Sequence, residues 1–178
     1  FTTDLSLVRA CKKVLQEYGD IFCMYPEARY TPDGTLQVLP NAIGKLAKKN
    51  NVPVVVILNH GNYLNLPFWT NFKFRKTPIR VEMKQILTAQ QVSELSVDEI
   101  NKKIREEMYY NEYKWQKENN IHIKERYRAE GLNKVLYQCP NCKTEHKMIS
   151  KGFHLWCEEC DKKWEMTELG EMKAVEGE

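Results

Sequence analysis

Two Cys-x-x-Cys pairs, Cys139-Pro140-Asn141-Cys142 and Cys157-Glu158-Glu159-Cys160, stand fourteen residues apart near the end of the chain. Few patterns limit a fold as tightly. Each short turn presents two sulfurs to one point, and two such knuckles at this separation place four thiolates tetrahedrally around one Zn²⁺. Thr144 to Met148, Gly152 to Trp156 and Lys163 to Met166 then read as the three short strands of a zinc ribbon. In a module with so little core, the metal supplies much of the folding free energy. Cys139, Cys142, Cys157 and Cys160 close the coordination shell without His146 or His154, so the expected role of the Zn²⁺ is structural, with no open position for catalysis. Cysteines used in this way point to a reducing compartment, not to a disulfide framework. Cys11, in a helical stretch, and Cys23, in an apolar one, read as small packing residues.

Charge narrows what such a ribbon binds. Gln138 to Glu178 carries six lysines, no arginine and nine acidic residues, a formal net of −3. Four thiolates and one Zn²⁺ add about −2. A phosphate-binding surface needs the opposite sign, so no nucleic-acid partner is expected and the ribbon reads as a stabilising or protein-contacting module.

Upstream, 178 residues with 42% apolar content allow one medium domain or a small one with an accessory. The chain opens on Phe1 directly ahead of a helix, which reads as a piece of a longer protein. Thr3 or Asp4 can cap that helix, which runs to about Tyr18 with Gly19 as its stop. Ile21-Phe22-Cys23-Met24-Tyr25 is rich in strand formers and ends at Pro26, after which Glu27, Arg29 and a Pro32-Asp33-Gly34 turn follow at once. Asn41 to Asn51 has the pattern of a helix, and Val52-Pro53-Val54-Val55-Val56-Ile57-Leu58 that of a strand buried on both faces of a parallel sheet. Strand, charged loop, helix and strand make a crossover unit, and ligands of open α/β sheets bind beyond the carboxyl ends of the strands, where Glu27 and Arg29 stand. Taken alone, a carboxylate and a guanidinium so placed pair across a turn.

Phe68 to Lys76 interleaves aromatics and cations in a way that suits a lipid interface, but Phe72 and Phe74 alternate as one face of a strand does, and sheet packing is the expected outcome. Pro78 to Met83 alternates as a further half-buried strand. Ser96-Val97-Asp98-Glu99 is a capping box, with Ile100, Ile104 and Met108 on one stripe of a long helix reaching about Asn119. The aromatics of its second half, Tyr109 to Trp115, read as packing residues, and Ile121 to Leu136 as a connecting helix or linker.

Tyr25-Pro26-Glu27-Ala28-Arg29 with Asp33-Gly34, then Gly44-Lys45-Leu46-Ala47 and Val52-Pro53-Val54-Val55, resemble in order and spacing the 1-acylglycerol-3-phosphate acyltransferase family of phospholipid biosynthesis. The likeness covers about Leu5 to Val97. It implies transfer of a fatty acyl group from acyl-CoA or acyl carrier protein to a lysophospholipid acceptor, with Pro26, Glu27, Arg29 and Gly34 at the acceptor, in a cytoplasmic protein peripheral to the membrane. The family's glycine after the glutamate is Ala28 here, and its arginine falls on Tyr30, so Arg29 stands one position early. The family's His-x4-Asp motif, whose imidazole is the general base, has no counterpart in Phe1 to Met24. His60 with Asn65 has the same spacing, but on the wrong side of the block and without a carboxylate, and reads as a loop histidine.

The expected fold class is therefore α/β: residues 1–95 as the C-terminal part of an acyltransferase-like sheet with crossover helices, 96–136 as a helical connector, and 137–178 as a zinc ribbon with an acidic tail. The alternative is a non-enzymatic scaffold whose ribbon binds a protein or nucleic acid.

Overall fold

The computed structural model describes residues 5–175. The protein is mixed α/β, with two small antiparallel sheets and several helices. Its helices are α1 (Leu5–Lys12), α2 (Ala42–Asn50), α3 (Asn62–Asn65), α4 (Ala89–Glu94), α5 (Val97–Glu107) and α6 (Glu112–Glu118). Its strands are β1 (Val54–His60), β2 (Arg80–Leu87), β3 (Met148–Lys151), β4 (His154–Cys157), β5 (Lys163–Met166) and β6 (Met172–Ala174). They group into two compact units that interleave along the chain: one takes the chain through Tyr30, Leu36–Leu58 and Val81–Tyr109, the other Thr31–Thr35, Asn59–Arg80 and everything from Tyr110 on.

In the first unit, α1 continues as a π turn over Lys13–Glu17, while the expected cap at Thr3 or Asp4 lies outside the described residues. α2 stops at Asn51, whose backbone turns left-handed (φ 48°). α4 and α5 each begin with a complete capping box, Thr88 with Gln91 and Ser96 with Glu99, which satisfies their first free N–H groups locally. Ile100 and Ile104 of α5 pack with Ala47 of α2, Val56 of β1, Ile86 and Leu87 of β2, Val92 of α4 and Leu39 in one core. Lys48 crosses from α2 to cap the end of α4, its Nζ donating to the carbonyls of Val92, Ser93 and Leu95.

Three expectations for this part are corrected. Ile21 to Tyr25 forms no strand: Ile21 is 91% and Tyr25 86% exposed, and without a neighbouring strand an extended segment gains neither ladder hydrogen bonds nor a packed face over its contacts with water. The parallel crossover therefore does not form among the described residues. β1 pairs instead with β2 in a two-stranded sheet, covered on one face: Val56 is buried in the core with Val54 and Leu58 against it, while Val55 and Ile57 point outward. The long helix is interrupted as well. α5 ends at Glu107 with Met108 as its C-cap, and Asn111, extended at φ −142°, caps a separate α6 by accepting from the Lys114 N–H.

In the second unit, β3, β4, β5 and β6 form one antiparallel sheet in chain order, with Met148 opposite Cys157, His154 opposite Glu165 and Trp164 opposite Ala174. It has a strand more than expected, and β3 starts only at Met148, because Lys143 and His146 adopt positive φ that no strand tolerates. Met148, Leu155 and Met166 share a core with Trp69, Ala129, Leu132 and the sulfur-bearing Cys139 and Cys157. Residues 121–136 are turns with one 3₁₀ turn at Leu132–Lys134, not a helix, and they lie on the sheet through Arg128 Nε to Met166 O (2.6 Å) and Ile123 N to Glu168 O (2.8 Å).

The aromatic-basic segment is not a strand. After Pro67 it makes a 3₁₀ turn, then Asn71 and Phe72 both turn left-handed, so its residues lose the alternation of a pleat. Trp69 points inward with Arg75 stacked on it at 4.7 Å; Phe68, Phe72 and Phe74 face solvent. No described helix is long and apolar enough to cross a membrane.

Candidate functional site

The four tail cysteines converge. Cys139 N donates to Thr144 O (2.9 Å) and Cys157 N to Lys162 O (3.0 Å), and in each knuckle the chain then closes back, Lys143 N donating to Cys139 O and Asp161 N to Cys157 O, both at 3.0 Å. Lys143 and Asp161 take the same left-handed turn, φ 64° and 57°. The two knuckles are thus built alike, and their Sγ atoms all lie within 4.8 Å of one another. Across the knuckles, Cys139 Sγ to Cys160 Sγ and Cys142 Sγ to Cys157 Sγ are both 3.7 Å. A disulfide needs about 2.05 Å, whereas a tetrahedron with metal–sulfur bonds of about 2.3 Å has edges of about 3.8 Å. The cysteines are free thiols set at the spacing of a metal shell and could hold a metal ion. Thr144, through its hydroxyl and backbone, holds the Cys142 thiol down to about 6, and Asn141 holds Cys160 low, while burial pushes Cys157 up to about 11.

Pro26, Glu27 and Arg29 lie in a tight turn of the first unit. Ala28 N donates to Tyr25 O (3.1 Å), and Ala28 itself is left-handed, φ 52°. Glu27 Oε2 accepts from Gln37 N (2.9 Å) and Arg29 Nη2 donates to Gln37 Oε1 (3.2 Å), so both side chains are directed to Gln37.

Gly34 belongs to the other unit, in the turn Thr31–Thr35. Thr31 Oγ1 accepts from Gly34 N (3.0 Å) and Thr35 N (3.1 Å), and Asp33 Oδ1 accepts from the Thr35 hydroxyl (2.8 Å) and amide (3.1 Å). Burial alone would raise the Asp33 carboxyl, but the hydrogen bonds from Thr35 and Thr31 outweigh it and hold it below the usual aspartate value. Gly34 has φ +77°, and a Cβ there would lie 2.8 Å from the Tyr63 ring and 3.3 Å from Glu112 Cβ, so only glycine fits.

His60, at the end of β1, has a partner other than the one its spacing suggested. Asn65 turns away, donating from Nδ2 to Arg75 O. Glu112, the first residue of α6 and 1% exposed, lies 3.2 Å from His60 Nδ1 and accepts the Gly61 N–H at 2.6 Å. The imidazole stacks on Trp115, 5.1 Å between centroids and 11° from parallel. Burial pushes the Glu112 carboxyl up, with the Gly61 and His60 hydrogen bonds opposing. No pattern in the sequence pointed to Glu112: a His and a Glu fifty-two positions apart carry no spacing signal, and the glutamate reads as one more charge on a helix.

Comparison of the chain with protein-family models, with curated proteins and with solved structures found no match in any of the three.

Proposed function

We propose that this chain is the acceptor-binding part of an acyltransferase, one that moves a fatty acyl group from acyl-CoA or an acyl carrier protein to 1-acylglycerol-3-phosphate or a similar lysophospholipid. The observation that carries the reading is the Tyr25–Ala28 turn. Its left-handed residue, Ala28, stands where the resembling family has glycine, the residue that adopts φ > 0 without strain. A left-handed backbone at this position is one that glycine adopts readily, and this supports the reading.

In this reading Pro26 shapes the turn, Glu27 orients the acceptor and Arg29 meets its phosphate, a task suited to a planar guanidinium that stays charged. The general base comes from a His-x4-Asp outside this chain; His60 does not replace it. In the full-length protein, Glu27→Gln and Arg29→Ala should each lower kcat/KM for the acceptor by on the order of 10- to 100-fold, the effect of losing one charge-assisted hydrogen bond. Unchanged acyl transfer in both variants would sink the assignment.

The metal is proposed to be Zn²⁺, since four thiolates at tetrahedral spacing suit a closed structural shell. Elemental analysis should find one zinc per chain, and a folded tail without it would overturn this. Peripheral membrane contact is assigned to Phe72 and Phe74, the outward aromatics beside Lys73 and Lys76. Their double replacement by serine should weaken co-sedimentation with phosphatidylglycerol vesicles; equal binding would remove the contact.

A further inference from the structure

Glu112 stands where three segments of the second unit meet. Its carboxylate takes the Gly61 N–H and faces His60 Nδ1, fixing the end of β1. Its backbone N–H donates to Gly34 O at 2.8 Å, and its neighbour Asn111 bridges Thr35, so the same residue secures the Thr31–Thr35 turn. Tyr63 adds a second tie to that turn, its hydroxyl donating to Pro32 O (2.9 Å) while accepting from Trp69 Nε1 (3.2 Å). Trp69 in turn lies in the core that holds the buried sulfurs of Cys139 and Cys157. Hydrogen bonds and packing thus run without a gap from the cysteine knuckles to the Asp33–Gly34 turn.

We infer that Glu112 is a positioning residue, through which the metal-bearing unit fixes both the His60 imidazole and the Asp33–Gly34 turn. The tail is then a working part of the molecule and not an appendage. The positioning lies within the second unit and does not rest on the acyltransferase reading. A carboxylate only accepts, so His60 is held with its proton on Nδ1. The link also makes order at the turn depend on the metal, because the core that seats Trp69 is closed by the knuckles.

Both consequences are measurable by NMR on the zinc-loaded chain. In wild type the ¹⁵N spectrum should show His60 protonated at Nδ1. In Glu112→Gln, with zinc content unchanged, the amide oxygen is needed by Gly61, its NH₂ turns to His60, and the proton should move to Nε2. Exchange of the Gly61 amide should rise on the order of tenfold in that variant, the scale of replacing a charged acceptor by a neutral one. On wild type, which avoids any folding defect of the variant, excess chelator should raise exchange at Gly61, Thr35 and Glu112 while Gly44 and Ile100 of the first unit keep their protection. An Nε2-protonated wild type, a tautomer unmoved by Glu112→Gln, protection retained at Gly61 and Glu112 after the Cys139 and Cys157 amides have lost theirs, or equal loss across both units would each overturn the inference. Unchanged acyl transfer in full-length Glu27→Gln and Arg29→Ala would sink the acyltransferase reading and leave this inference standing, so the two proposals fail separately.

Discussion

Gly44→Ala sets helix propensity against tertiary structure. Gly44 lies in the first turn of α2, and by propensity alone alanine would stabilise the helix by about 1 kcal/mol. The structure reverses that sign. A Cβ on Gly44 would fall 2.6 Å from Asn101 Oδ1 and 2.7 Å from its Cγ. Asn101, buried on α5, is the true cap of α2: its Oδ1 accepts the Gly44 N–H (2.9 Å) and its Nδ2 donates to Asn41 O (3.0 Å). Asn41, at the N-cap position of α2, has a helical backbone and its side chain makes no capping bond. A methyl group would displace the Asn101 amide, adding about 1–3 kcal/mol of overpacking and about 1–3 kcal/mol for buried polar groups left short of partners. Against the 1 kcal/mol gained, the net is a loss of about 3 kcal/mol. All four tryptophans, Trp69, Trp115, Trp156 and Trp164, belong to the other unit, so the assay is native-state hydrogen exchange at Ile100 with far-UV circular dichroism in urea. A Gly44→Ala protein as stable as wild type would refute the reasoning. The cost should also shrink in an Asn101→Ala background, where the methyl has room; an equal cost there would show that Asn101 is not the cause.

Ala28→Gly should stabilise the first unit by about 0.5–1 kcal/mol, since glycine accepts φ 52° without the steric cost that alanine bears; a lower urea midpoint would contradict it. Asp33 should titrate below 3.8 by carboxyl NMR, and Thr35→Ala should move it back up. Because its folded value is depressed, the unfolded chain binds the proton first as pH falls, so the stability Asp33 contributes is complete above its ordinary value and is lost through the folded one. Comparing wild type with Asp33→Asn at each pH isolates this from metal release in acid; parallel curves would rule it out.

Elements whose signals close within a few residues were legible in the sequence. The Ser96–Glu99 box starts α5 because its two hydrogen bonds are three residues apart, and the cysteine knuckles form because each bends on its own turn. Thr88–Gln91 carries the same box and is readable by the same rule. Ile21 to Tyr25 failed for the opposite reason: a strand pattern states a preference, and only a neighbouring strand can satisfy it. The helix expected across Met108 to Asn111 failed similarly, because Asn111 is drawn into a bridge with Thr35, seventy-six positions away in the chain.

By itself, then, the sequence determined the mixed α/β class, the β1 segment, the capped start of α5 and the four-sulfur cluster, since periodicity, caps and short spacings act through the nearest turns of backbone. Tertiary structure alone decided that Asn101 caps α2, that His60 is partnered by Glu112 and not by Asn65, and that the Asp33–Gly34 turn joins the unit of the cysteine tail. Each of these rests on a polar group whose partner lies fifty or more residues away in the chain, and which partner arrives is settled by how the cores pack.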